Sequence, residues 1–252
     1  MPLVHLLSTI ALICSVTAAV AQRADEIPSD IIDAQSVVED LVLDVRYATT
    51  HNFVGRVIPG YRAAKCLLTR RAAEALEGVQ RELQEFALAL KVYDCYRPQS
   101  AVDAFVDWAD DLDDQTMKAE FYPNVDKQNL FRDGYIAARS GHSRASTVDL
   151  TIVPRRAQPA AVYDSAVPPG SCENDQSARF PDASLDMGTG YDCFSVRSHT
   201  IFPGLSPQQR AHRLLLERLM KSHGFRGLAE EWWHFTLVDE PYPETYFDFP
   251  VE

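Results

Sequence analysis

TVDLTIV, Thr147 to Val153, is a β-branched, largely apolar run without glycine or proline, and it predicts a strand. Asp149 stands out inside it, because an unpaired carboxylate in a buried strand is costly and calls for a cation or hydrogen-bond donors nearby. Seven residues upstream stands His142, within SGHSRASTVD (Ser140 to Asp149). Far downstream a second strand-like run, EWWHFTLV (Glu231 to Val238), places a glutamate three residues before His234.

The rest of the chain supplies elements to pack around these two strands. LVLDVRY (Leu41 to Tyr47) alternates imperfectly and predicts a strand, and LALKVY (Leu88 to Tyr93) predicts another that delivers Asp94-Cys95-Tyr96-Arg97-Pro98 at its end. Ala72, Ala75, Leu76, Val79 and Leu83 recur at helical spacing, so a helix is expected over Arg70 to Phe86 with Thr69 as its cap. A second helix starts after Pro98, and a third spans Ser206 to His223, capped by Ser206 and stopped at Gly224. Pro154 to Ser184 holds five prolines and few apolar runs, which predicts an irregular excursion. Strands and helices without a regular βαβ rhythm make the fold class α+β.

Met1 to Ala21 contains no Asp, Glu, Lys or Arg, and its apolar run ends in Ala19-Val20-Ala21. It is expected to be a signal peptide cleaved before Gln22, leaving Gln22 to Glu252 as one catalytic domain, exported to the periplasm or secreted, with no stable membrane insertion. The formal net charge of −12 argues against nucleic acid or an anionic membrane as a partner and is compatible with a small zwitterionic substrate. Cys66, Cys95, Cys172 and Cys193 remain after processing. An even count in an exported chain suggests disulfides, and four cysteines allow three connectivities. We expect Cys66 with Cys95 and Cys172 with Cys193; no C-x-x-C pair supports the competing reading as metal thiolates.

Two imidazoles and one carboxylate, here His142, His234 and Asp149, form a three-ligand set suited to catalytic zinc, with a fourth position left for water. Glu231 is then available as the base. Arg97, taken alone, reads equally as a surface ion-pair partner.

Taken together, the segments RYATTHNFVG (Arg46 to Gly55), DCYRPQSAV (Asp94 to Val102), FYPNVD (Phe121 to Asp126), SGHSRASTVDLT (Ser140 to Thr151), MGTGYDCF (Met187 to Phe194), RSH (Arg197 to His199), EWWHF (Glu231 to Phe235) and DEPYPETYFDFPV (Asp239 to Val251) closely resemble, in order, the zinc D-alanyl-D-alanine dipeptidases associated with glycopeptide resistance. The resemblance implies a hedgehog/D,D-peptidase-like fold with a central, mostly antiparallel sheet and packed helices. It implies one Zn²⁺ on His142, Asp149 and His234, Glu231 as general base and then acid, and Arg97 facing the developing oxyanion. Tyr47, Tyr61, Ser140 and Asp192 fall on positions similar to the family's substrate pocket, with Asp192 holding the substrate ammonium and Tyr61 and Ser140 its carboxylate. A D,D-carboxypeptidase acting on peptidoglycan stems and a non-catalytic zinc-fold binding protein are the alternatives. The departures are Cys95 and Ala145, which replace usual glycines, Ala145 being tolerable only where the backbone does not require positive φ, together with Cys193 and the Pro154 to Ser184 excursion, which is longer than expected.

Overall fold

The structure is a computed structural model that describes residues 23–24, 27–156 and 161–252; the expected leader, Met1 to Ala21, lies outside them. Along the chain run β1 (Arg23–Ala24), β2 (Ile31–Asp33), β3 (Val42–Leu43), β4 (Leu67–Thr69), α1 (Arg70–Gln84), β5 (Leu88–Asp94), α2 (Gln99–Asp110), α3 (Lys118–Phe121), β6 (Thr147–Pro154), α4 (Pro207–Ser222), β7 (Phe225–Leu228), β8 (Glu231–Leu237) and β9 (Tyr246–Phe247). Five strands form one sheet in the order β3-β5-β6-β8-β7, in which only β3 and β5 run parallel. The α+β class and the mostly antiparallel sheet are therefore as expected.

The TVDLTIV run is β6, the middle strand, buried along its length apart from Pro154. Side chains alternate across a strand. Val148, Leu150 and Ile152 enter an apolar core with Leu76, Val79 and Leu83 of α1 and Leu216 and Met220 of α4. Asp149 and Thr151 consequently face the other way, so both faces of β6 are covered and its sequence reads as a near-continuous apolar run. A second core gathers Phe53, Phe105, Trp108, Phe121, Phe194 and Phe249 around α2.

Local chemistry sets the helix ends. The Thr69 side chain accepts the Ala72 N–H at the start of α1, and Ser206 and Gln209 form a reciprocal capping box at the start of α4, with Pro207 in the first turn. Helix α1 ends at Gln84, two residues before the expected limit, because Ala87 turns left-handed at φ 57. The strand expected over Leu41 to Tyr47 shortens to Val42–Leu43, and Arg46–Ala48 forms a 3-10 turn. Strand β3 lies at the sheet edge with a single neighbour, so nothing on its outer side extends it.

The excursion after β6 carries no regular element among its described residues except a 3-10 turn at Gln176–Ala178. It is nonetheless packed down. Asp182 lies 3.4 Å from Lys91 and accepts the Tyr93 hydroxyl, and the Tyr163 ring stacks on His51 at 4.2 Å. Both expected disulfides are present, Cys66–Cys95 and Cys172–Cys193. Among the described residues no helix is long and apolar enough to cross a membrane.

Candidate active site

Sheet register brings three polar residues into one row: Asp94 on β5 pairs with Asp149 on β6, and Asp149 pairs with His234 on β8. His142 enters from the 3-10 turn Gly141–Arg144, whose cap Ser140 accepts the His142 N–H at 3.2 Å. His142 Nε2, His234 Nδ1 and Asp149 Oδ1 form a triangle with sides of 3.3, 3.2 and 3.1 Å. Donor atoms at zinc-bond lengths of about 2.0–2.1 Å and tetrahedral angles lie about 3.3 Å apart, so the triangle fits one such ion. Asp149 Oδ1 is buried and makes no hydrogen bond, which is the deficit a cation would satisfy.

The surrounding bonds orient this set. His142 Nδ1 lies 2.7 Å from the Cys95 carbonyl, which can only accept, so Nδ1 carries the proton and Nε2 presents its lone pair. The Tyr191 hydroxyl donates to Asp149 Oδ2 at 3.0 Å, leaving Oδ1 to the histidines. Arg97 donates through Nε to Asp94 Oδ2 at 2.9 Å and lies 3.6 Å from Asp149 Oδ2 through Nη2. Its guanidinium is stacked over the rings of Tyr47 and Phe105, 4.9 and 5.2 Å from their centroids.

Glu231 and His234 are three apart on one strand, and a regular strand would send them to opposite faces. The β7–β8 register jumps between Gly227, opposite Phe235, and Leu228, opposite Glu231. This bulge in β8 brings Glu231 Oε2 to 3.6 Å from His234 Nδ1. Burial pushes the Glu231 carboxyl up to about 7, while His234 draws it down and Asp149 adds to the rise.

Arg97, Ser140, Asp192 and Glu231 line one cavity of about 240 Å³, together with the three potential metal ligands. That is below the roughly 300–1,000 Å³ of common small-molecule sites, so the cavity suits only a small occupant. Tyr47, on the 3-10 turn after β3, also lines the cavity and donates its hydroxyl to Asp192 Oδ2 at 2.8 Å. Burial, reinforced by the charge of Asp149, raises the Asp192 carboxyl well above its ordinary range, so its ionised form is disfavoured there unless a cation lies beside it. Tyr61 departs from expectation: it does not line this cavity, and its hydroxyl donates to Asp94 Oδ1 instead. That bond satisfies the buried Asp94 carboxylate, whose other oxygen holds Arg97.

The profile of a family described as D-ala-D-ala dipeptidase matches residues 28–161 and 181–252. The chain belongs to this dipeptidase family. Curated relatives named D-alanyl-D-alanine dipeptidase include one from Enterococcus faecalis, 35% identical over 82% of this chain and 91% of its own length. Another, from Streptomyces coelicolor, is 35% identical over 88% and 98%, and one from Escherichia coli is 31% identical over 83% and 85%. As a D-Ala-D-Ala dipeptidase family peptidase, the chain departs from the match at residues 162–180, within the long excursion.

Two residues of this dipeptidase-family site escaped the reading of the sequence. Asp94 anchors both Arg97 and Tyr61, and its only signal was an acid three residues before an arginine at a strand end. Tyr191 holds Asp149, and its only signal was a place beside Asp192. Ala145 lies at φ 57 and ψ 26, so the alanine that stands in place of the usual glycine adopts the left-handed backbone that glycine takes without strain.

Proposed function

We propose that this protein hydrolyses D-alanyl-D-alanine to two molecules of D-alanine, using zinc held by His142, Asp149 and His234 in a hedgehog/D,D-peptidase-like fold. The shared name of the relatives supports the substrate. The observation that carries the chemistry is the convergence of three ligand atoms with Glu231 and Arg97 on one small cavity. When bound, zinc supplies a Lewis acid that makes water nucleophilic near neutral pH. Glu231 takes the proton of the attacking water and returns it to the leaving D-alanine nitrogen. Arg97, fixed in advance by Asp94 and two aromatic rings, faces the negative charge that develops on the carbonyl oxygen. Asp192, steadied by Tyr47, receives the substrate ammonium, and the Ser140 hydroxyl meets its carboxylate. Two disulfides and the leader-like first 21 residues support an exported location.

The test is release of D-alanine from D-Ala-D-Ala and from its N-acetylated form, with metal-stripped and zinc-reloaded protein. Cleavage of the free dipeptide alone, lost on stripping and restored by zinc, is expected. Cleavage of the blocked dipeptide would reassign the protein as a D,D-carboxypeptidase, and inactivity on both would leave a binding protein. Glu231→Gln should retain one zinc per chain and lose on the order of 10²–10⁴ in kcat.

A further inference from the structure

Residues 162–180 fall outside the family match, and within them stands Cys172, bonded to Cys193. Cys193 directly follows Asp192, which lines the cavity, while neither cysteine does. The disulfide is the strongest of several ties behind that wall. The Gly190 N–H donates to the Cys172 carbonyl at 2.9 Å, the Cys172 N–H to the Glu120 carbonyl at 2.9 Å, and the Phe194 N–H to the Phe121 carbonyl at 2.8 Å. The same segment also backs the turn that carries Tyr47. Tyr163 and Phe180 pack on the His51 ring with centroids 4.2 and 4.1 Å away, and Glu120 fixes that ring through a contact of 2.8 Å to Nε2. Tyr47 and Asp192, bonded at 2.8 Å, are thus supported from behind by one insertion.

Asp192 needs such support for two physical reasons. Its backbone is left-handed at φ 53, a conformation that aspartate tolerates better than most residues but that an unrestrained loop readily leaves. Its side chain shares a small cavity with Asp149 and Glu231, whose like charges oppose its approach.

We propose that residues 162–180 and the Cys172–Cys193 disulfide form a strut that fixes Asp192 against Tyr47 as the receptor for the substrate's free ammonium. The disulfide is then a determinant of this chain's preference for an unblocked N-terminus, and Cys172 and Cys193 are positioning residues. The proposal rests on the dipeptidase reading above.

The experiment is a thermodynamic cycle on zinc-loaded protein: the double variant Cys172→Ser/Cys193→Ser, Asp192→Asn, and the two combined, each assayed on D-Ala-D-Ala with zinc content measured alongside. Removing the disulfide should raise KM about tenfold, leave kcat within about twofold and leave zinc content unchanged. In the Asp192→Asn background the same removal should add nothing to KM. An unchanged KM, or an equal rise in both backgrounds, overturns the strut. Tyr163→Ala, which loosens the insertion at its His51 contact, carries the same cycle if the cysteine variant does not fold. Inactive wild-type protein would overturn the dipeptidase reading and this proposal with it, whereas an active wild type without the coupling overturns this proposal alone.

Discussion

Ala145 is fully buried and left-handed, a backbone that costs an L-residue about 1–2 kcal/mol. The conformation is required because the Ala145 N–H closes on the His142 carbonyl at 3.0 Å before the chain turns into β6. The methyl group returns part of the cost by packing in the core around α2. Ala145→Gly relieves the strain but loses that packing and gains unfolded-state entropy, so its stability should stay within about 1 kcal/mol of wild type. Ala145→Val puts a β-branched side chain into the same turn and should lose about 2 kcal/mol or more, read from denaturant midpoints. Equal losses in the two variants would remove the strain argument. The departure from glycine was visible in the sequence, but the φ that gives it meaning was not, since it depends on where the turn must point His142.

Strand β5 shows what its neighbours add to an apolar run. Lys91 is only 2% exposed, and its charge is met by Asp44 on the chain leaving β3, at 3.1 Å, and by Asp182 of the excursion, at 3.4 Å. Burial alone would raise the Asp182 carboxyl, but Lys91 and Arg46 outweigh it and lower the pKa to about 2. The unfolded value is about 3.9. A pKa depressed on folding contributes stability that is fully present above the unfolded value and is lost as pH falls through the folded one. Wild-type stability should therefore fall by on the order of 2 kcal/mol more than that of Asp182→Asn between pH 5 and pH 2. Urea titrations of both proteins across that range provide the check, and parallel curves would refute it. Helices α1 and α4 were legible because caps and periodicity are local. The length of β3 was not, because an edge strand persists only as far as its single partner and the turn beyond it allow.

Across the whole molecule, Cys66–Cys95 ties the residue preceding β4 to the end of β5 over 29 positions, and the Cys95 carbonyl orients His142. Closing a loop of that length restricts the unfolded chain by roughly 3–4 kcal/mol. Replacing both cysteines with alanine should lower the unfolding free energy by about 2–4 kcal/mol, read from denaturant midpoints, and weaken binding of the proposed zinc. A variant with unaltered stability would show that this bond does not limit the unfolded chain. The sequence alone determined the α+β class and the capped helices, because these reside in local periodicity and caps, and its short motifs pointed to His142, Asp149, His234, Glu231 and Arg97, which the structure brings to one cavity. Tertiary structure alone decided that Tyr61 serves Asp94 and not the cavity, that Asp94 and Tyr191 hold the site in place, and that Glu231 shares a face with His234. The placement of Asp94 and Glu231 depends on strand register and one bulge, where a shift of a single residue turns a side chain to the opposite face, and that of Tyr61 and Tyr191 depends on loops folded against the sheet from distant parts of the chain.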